Sequence, residues 1–297
     1  MTGLLSQRVA IVTGAGRGLG RAHALALAHG GARVVVNDLD AAGAEEVCAE
    51  IARQGGEAIG STANVQYLGE VETMVALALR RWGQVDILVN NAGILRDRTF
   101  AKLDLADFRL VLDVHVMGSV NCTKAVWSHM KERGYGRVVF TTSSSGLYGN
   151  FGQSAYAAAK MALVGLMQTL ALEGERYGIR VNCLAPSAAT HMTHGLWSPE
   201  DLAALDPQRV SPAVVALASE AAPNKRVVLA GAGSFKLAHV TMTRGIHLAD
   251  ERLSAEEILS QWDRIGDRSG ELVPGAGAEQ YRFEAEQARA GAAPKKA

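Results

Sequence analysis

Residues 8–20 read RVAIVTGAGRGLG: a short β-branched run, a turn with glycines at 14, 16, 18 and 20, and the opening of an Ala- and Leu-rich stretch. A strand that feeds a glycine turn and then a helix presents the N–H groups of the helix N-terminus to an anion. Gly14 permits the tight turn, Gly18 lets backbone approach a pyrophosphate, and Gly20 permits close helix packing, with Arg17 and Leu19 between them. An ordinary glycine-rich turn has the same letters, so the rest of the chain must separate the two readings.

Similar β-branched runs recur at 32–38, 85–93, 136–144, 179–186 and 226–233, with a weaker one at 57–65. Most are continuously apolar, as strands covered on both faces of a parallel sheet are. Helical stretches lie between them at 18–30, 43–54, 69–82, 104–133 and 154–177. The alternation predicts an α/β fold, a doubly wound seven-stranded parallel sheet of the Rossmann type. It forms one domain over 1–235, with a substrate lid at 187–212 after the sixth strand. The lid is broken by Pro199, Pro207 and Pro212; its Met192, Leu196 and Trp197 suit either an acyl chain or helix packing. An extension packed on the core is expected over 236–282, and a frayed, polar tail over 283–297.

Thirty basic residues balance thirty acidic ones, so no global field draws in nucleic acid or an anionic membrane. No apolar run is read as reaching the roughly 18 to 20 residues that span a bilayer, and MTGLLSQR leads straight into a strand with no secretory segment. A cytoplasmic protein without nucleic-acid or membrane partners is expected. Cys48, Cys122 and Cys183 lie far apart and predict free thiols. HMTH at 191–194 brings two histidines together without an HExxH pattern, so no metal is expected.

Asp38 ends the second strand, where a carboxylate can accept both hydroxyls of an adenosine ribose and repel a 2′-phosphate. NAD is therefore expected over NADP, although Arg17 in the turn could pair with that phosphate. Asp40 reads as the N-cap of the next helix. Tyr156 and Lys160 stand i, i+4 on one helix face, where an ammonium favours the phenolate. An isolated pair of this spacing is more often packing and surface. Here it follows the glycine turn, NNAG at 90–93 and a strand ending in serines.

TGxxxGxG at 13–20, NNAG at 90–93, Ser143 and YxxxK at 156–160 together resemble the short-chain dehydrogenase/reductase family over about residues 5–235. The resemblance implies Tyr156 as acid/base, Lys160 holding the nicotinamide ribose and lowering the tyrosine pKa, and Ser143 hydrogen-bonding the substrate oxygen. It also implies that Asn90, Asn91, Ala92 and Gly93 line the cofactor cleft. Asn64 and Val65 match an adenine-contacting Asp-Val pair with Asn in place of Asp. Thr190, after Pro186, falls near a carboxamide-binding threonine, although the usual Pro-Gly is Pro186-Ser187 here. His115 stands where the family places a relay asparagine, and the proton-relay role is expected of it rather than that of a core histidine.

SGLYGNFGQSAYAAAK at 145–160, VHVMGSV at 114–120 and APSAATHMT at 185–193 are similar to a narrower branch. That branch is the (3R)-hydroxyacyl-CoA dehydrogenase domain of peroxisomal multifunctional enzymes and their stand-alone bacterial relatives, which also carries histidine at the relay position. It implies NAD-dependent oxidation of a (3R)-hydroxyacyl-CoA, with a fatty-acyl or steroid side chain, in a β-oxidation-like pathway. A hydratase domain follows in multifunctional members; the length here leads us to expect a single activity. Gly146, Gly149 and Gly152, in a loop almost free of charge, would leave a slot for an acyl chain. The alternatives are an NADP-dependent 3-oxoacyl-carrier-protein or carbonyl reductase, and a non-catalytic dinucleotide-binding protein. Intact Ser143, Tyr156 and Lys160 speak against the last. Helices 104–133 and 154–177 carry apolar residues on more than one face, including Ala157, Ala158, Met161, Leu163 and Met167, and predict a homodimer or homotetramer.

Overall fold

The computed structural model describes residues 3–189 and 204–292. The chain alternates strand and helix: β1 (Val9–Thr13), α1 (Gly18–His29), β2 (Arg33–Asn37), α2 (Ala41–Arg53), β3 (Ala58–Ser61), α3 (Leu68–Trp82) and β4 (Ile87–Asn90). There follow α4 (Leu105–Leu112), α5 (Gly118–Arg133), β5 (Gly136–Thr141), α6 (Ser144–Tyr148), α7 (Ser154–Gly174), β6 (Ile179–Ser187), α8 (Ser211–Ala218), β7 (Val227–Gly231) and β8 (Ser234–Ala238). β1, β4 and β5 are buried at every position, as strands covered on both faces must be. Asp40 caps α2 by accepting from the Gly43 N–H.

The sheet runs β3-β2-β1-β4-β5-β6-β7-β8 and is parallel except at its last pair. The expected doubly wound sheet is present, with one correction: it has an eighth, antiparallel strand. Gly231 pairs with Ser234. The two residues between them, Ala232 and Gly233, have φ of +50° and +77°, the conformation that turns a two-residue hairpin. Strand order reverses between β1 and β4, and ligands of such sheets enter at the carboxyl ends of the strands at that point.

One apolar layer joins Leu27, Val34, Val36, Ile51, Val214 and Leu217. The other joins Ile11, Met74, Val126, Phe140, Leu163 and Met167 on the opposite face. Each fully buried side chain of this size contributes about 1.5–3 kcal/mol. α4 and α5 form one continuous rod through a π-helical turn, Asp113–Met117, where the wider winding includes His115.

The Ser154–Tyr177 segment is long and apolar enough, by composition alone, to cross a membrane, with mean hydropathy 1.3. The expectation that no run reaches that length is corrected. The excess apolarity has a packing cause: Leu163, Val164, Met167 and Ala171 are buried against the sheet.

The described chain divides into two compact units, one ending at Ala238 and one beginning at His239. β8 carries the first past the boundary expected at 235. Within the second, Met242 bridges Leu272, and short helices α9 (Ala255–Ser260) and α10 (Trp262–Ile265) precede α11 (Ala278–Ala292). The frayed tail expected from 283 is instead helical to 292. Its Ala-rich sequence and the i, i+4 pair in which Gln280 donates to Glu284 at 2.9 Å favour that state. Of the expected lid, residues 190–203 lie outside the described residues, and with them Thr190 and the HMTH segment.

Candidate active site

The glycine turn and the NNAG segment are fastened together by side chains. Thr13 Oγ accepts from the N–H groups of Asn91 and Ala92, each at 3.0 Å. Asn91 Nδ2 returns two hydrogen bonds, to the carbonyls of Thr13 at 2.9 Å and Gly14 at 3.0 Å. Gly20 is required by contact: a Cβ there would lie 2.0 Å from the Gly14 carbonyl oxygen. Arg17 occupies the N-cap of α1 with an exposed side chain that makes no capping bond, and the first turn has no acidic residue. The leading N–H groups of α1 thus lack a side-chain acceptor at the cap, as an anion-binding helix end requires. Thr13 opens the TGxxxGxG motif, but its fastening role is set by partners 78 and 79 residues away.

Asp38 is half-buried at the end of β2. Its Oδ2 accepts from the Gly16 N–H at 2.9 Å and its Oδ1 from the Asp40 N–H at 3.0 Å, so the carboxylate is fixed beside the turn. Beyond β3, Asn64 Oδ1 accepts from the backbone N–H and the Nε2 of Gln66 at 3.0 and 3.2 Å. Val65 packs so close to α5 that a Cβ on Gly118 would lie 2.7 Å from its Cγ2. Asn121 Nδ2 holds the same loop by donating to the carbonyls of Val65 and Gln66, at 2.9 and 3.0 Å. Asn121 was not found from sequence, because its partners lie more than 50 residues away.

Ser143 caps α6, its Oγ accepting from the Ser145 N–H at 3.2 Å. Tyr156 and Lys160 project from the first turns of α7. Burial raises the Tyr156 phenol above its ordinary 10.0; a hydrogen bond with Ser143 opposes that rise and the Asp97 carboxylate adds to it. Lys160 is buried, and its Nζ donates to the Thr141 carbonyl at 2.6 Å and stands 5.4 Å from the Tyr156 ring centroid. Desolvation pulls Lys160 down to about 7. Burial is the largest influence on both groups, and it opposes the charged form of each.

His115 is buried and edge-on to Tyr156. Its Nε2 lies 3.0 Å from the amide nitrogen of Ile94 and 2.9 Å from that residue's carbonyl oxygen, while its Nδ1 has no partner. Burial first, then the Lys160 charge, lower it to about 3, with the Ile94 bond opposing, so the imidazole is neutral. Gly93 makes room for it: a Cβ there would meet Cε1 at 2.3 Å.

These groups line one cavity of about 1320 Å³. It gathers Gly14, Arg17, Gly18, Leu19, Gly20, Asp38, Asn64, Val65, Asn91, Ala92, Gly93, His115, Ser143, Tyr156, Lys160 and Pro186. Asn90 is a correction: it does not line the cavity. It is buried on the other side of β4, where Nδ2 donates to Thr123 Oγ at 3.3 Å, because adjacent strand residues face opposite ways. The loop after β4 adds Ile94, Leu95, Arg96 and Asp97, which the sequence did not place there.

A glycine turn at a helix N-terminus, a fixed carboxylate at the end of β2 and a Ser–Tyr–Lys group in the same cleft define a dinucleotide-binding oxidoreductase. The comparisons agree: the short chain dehydrogenase family pattern matches residues 8–201, and the chain belongs to that family. It is 44% identical over 281 residues to a short-chain type dehydrogenase/reductase of Mycobacterium tuberculosis, covering 91% of this chain and 98% of that one. It is 42% identical over 280 residues to the peroxisomal multifunctional enzyme type 2 of Mus musculus, covering 90% of this chain but only 38% of that longer protein. The structure of full-length peroxisomal multifunctional enzyme type 2 from Drosophila melanogaster superposes with a TM-score of 0.80 at 37% identity, over 95% of this chain and 49% of that one. The protein is an oxidoreductase that acts on a CH–OH group with a nicotinamide dinucleotide.

Proposed function

We propose that the protein oxidises the 3-hydroxyl of a (3R)-hydroxyacyl-CoA to the 3-oxoacyl-CoA, with NAD as coenzyme. The observation that carries this reading is that Ser143 and Tyr156 line the same cleft as the glycine turn and Asp38. Likeness to the multifunctional enzymes over nine-tenths of this chain supports the thioester substrate. Asp38, fixed by two backbone N–H groups, supports NAD, since a 2′-phosphate beside it would meet a like charge.

The residues present fit the coenzyme: the α1 N-terminus without a side-chain cap would take the pyrophosphate, Asp38 the adenosine ribose, Asn64 and Val65 the adenine, and Lys160 the nicotinamide ribose. When bound, it accepts the hydride from the carbinol carbon. Tyr156, as phenolate, takes the proton from the substrate hydroxyl. Ser143 Oγ already accepts from the Ser145 N–H, which leaves its own proton to donate to the substrate oxygen. Neutral His115 holds the segment after Gly93 through Ile94 and keeps an unpartnered Nδ1 for the relay.

Assembly as a homodimer or homotetramer belongs to the same proposal. Met161 and Leu172 on α7 are 40% and 47% exposed, an apolar outer face that a second copy would cover. Initial rates with acyl-CoA, acyl-carrier-protein and steroid alcohols, each with NAD and NADP, test the reading. Highest kcat/KM for a hydroxyacyl-CoA with NAD is expected; preference for an acyl-carrier-protein substrate with NADP would replace it by the reductase alternative.

A further inference from the structure

Ser143 and Tyr156 arrive from different elements, and something must hold them in register. The loop after β4 and the loop before α7 are joined at their backbones: Arg98 bridges Gln153, and the Arg98 N–H donates to the Gly152 carbonyl at 2.9 Å. A line of side chains crosses the same junction. Gln153 Nε2 donates to Asp97 Oδ2 at 2.7 Å. Its Oε1 accepts from Ser145 Oγ at 2.8 Å and from Asn150 Nδ2 at 3.0 Å. Ser145, which is buried, then donates its backbone N–H to Ser143 Oγ. Gln153 is also the N-cap residue of α7, and its carbonyl accepts from the Ala157 N–H at 2.7 Å, in the turn that carries Tyr156.

We propose that Asp97 and Gln153 are positioning residues, a latch through which the loop after β4 sets the Ser143 hydroxyl against the Tyr156 phenol. One amide does both jobs. Its nitrogen is anchored on a carboxylate, which fixes the plane, and its oxygen is thereby turned toward Ser145. Freed from Asp97, the amide can rotate, and Ser145 and Ser143 lose their common reference. Small errors of this kind act on turnover rather than on coenzyme binding, because the glycine turn and Asp38 do not touch the latch. The inference rests on the reading of Ser143 and Tyr156 as the acid–base pair.

The test is a charge swap. Gln153→Glu sets two carboxylates against each other and should lower kcat by about tenfold or more, with KM for the coenzyme within about twofold of the starting value. Adding Asp97→Asn restores a donor facing an acceptor, since the new amide nitrogen can donate to the glutamate while its second oxygen still accepts from Ser145. The double variant should recover kcat to within about threefold. A single variant with unchanged kcat, or a double variant no better than the single, overturns the latch. Coenzyme binding followed by fluorescence shows that each variant is folded. Tyr156→Phe, measured alongside, keeps the two ideas apart. Near-normal turnover there removes the acid–base reading itself, whereas an inactive Tyr156→Phe beside an unaffected Gln153→Glu removes only the latch.

Discussion

The imidazole of His115 stands edge-on to the phenol ring of Tyr156, with centroids 5.4 Å apart and planes at 89°. His115 thus puts a second ring against the phenol, and the glycine at 93 is what admits it. Burial keeps this imidazole neutral, so at rest it adds no charge beside Lys160.

Acid stability follows from the same burial. His115 and His23 are both lowered from 6.5 to about 3 in the folded protein, so the unfolded chain takes up protons first as pH falls. Their contribution is intact above pH 6.5 and is lost progressively between 6.5 and 3, at about 1.4 kcal/mol per pH unit for each histidine. Denaturant midpoints at pH 7.5 and 5 should show a marked fall, and His115→Asn should remove roughly half of it. Equal pH dependence in that variant would show that His115 does not titrate with unfolding.

Tyr156→Phe keeps the ring and its edge contact with His115 while deleting the transferable proton. It should lower kcat by at least about a hundredfold with little change in coenzyme affinity. Near-normal steady-state turnover would take Tyr156 out of the chemistry.

The groups facing that phenol are Ser143, Asp97, Lys160 and His115. Its pKa is raised, so oxidation, which needs the phenolate, should climb as pH increases into the alkaline range. Asp97→Asn keeps an acceptor for Gln153 but removes the charge that adds to the burial-driven rise of the phenol, and the climb should move to lower pH. A profile unmoved by that substitution would remove Asp97 from the groups that set the phenol.

The glycine turn, the Tyr–Lys spacing and Asp38 were legible in the sequence because each is local: a few residues fix both geometry and chemistry. The departures have physical causes. β8 is an exposed edge strand, with Phe235 and Leu237 each half out of solvent cover, so it lacks the buried apolar run that marks its neighbours. Asn90 reads like its neighbour Asn91, yet strand alternation turns it away from the cleft. The burial that pulls Lys160 down could not be read from a helix whose exposed and buried faces are almost equally apolar. Asn121 and Gln153 act across 55 or 56 residues of chain, where spacing carries no signal.

Coenzyme choice tests Asp38. Comparing kcat/KM for NAD and NADP should show a clear NAD preference, reduced or reversed in Asp38→Ser, which removes the carboxylate between the Gly16 and Asp40 N–H groups. NADP preference in the unsubstituted protein would give the choice to exposed Arg17 instead.

Stereochemistry at the carbinol carbon separates a (3R)-hydroxyacyl-CoA dehydrogenase from the alternatives. Purified (3R)- and (3S)-3-hydroxyacyl-CoA of matched chain length, each supplied with NAD, should be distinguished in initial rate, with NADH formed from the 3R isomer. Preference for the 3S isomer, or no thioester turnover beside rapid oxidation of simple secondary alcohols, would contradict the account.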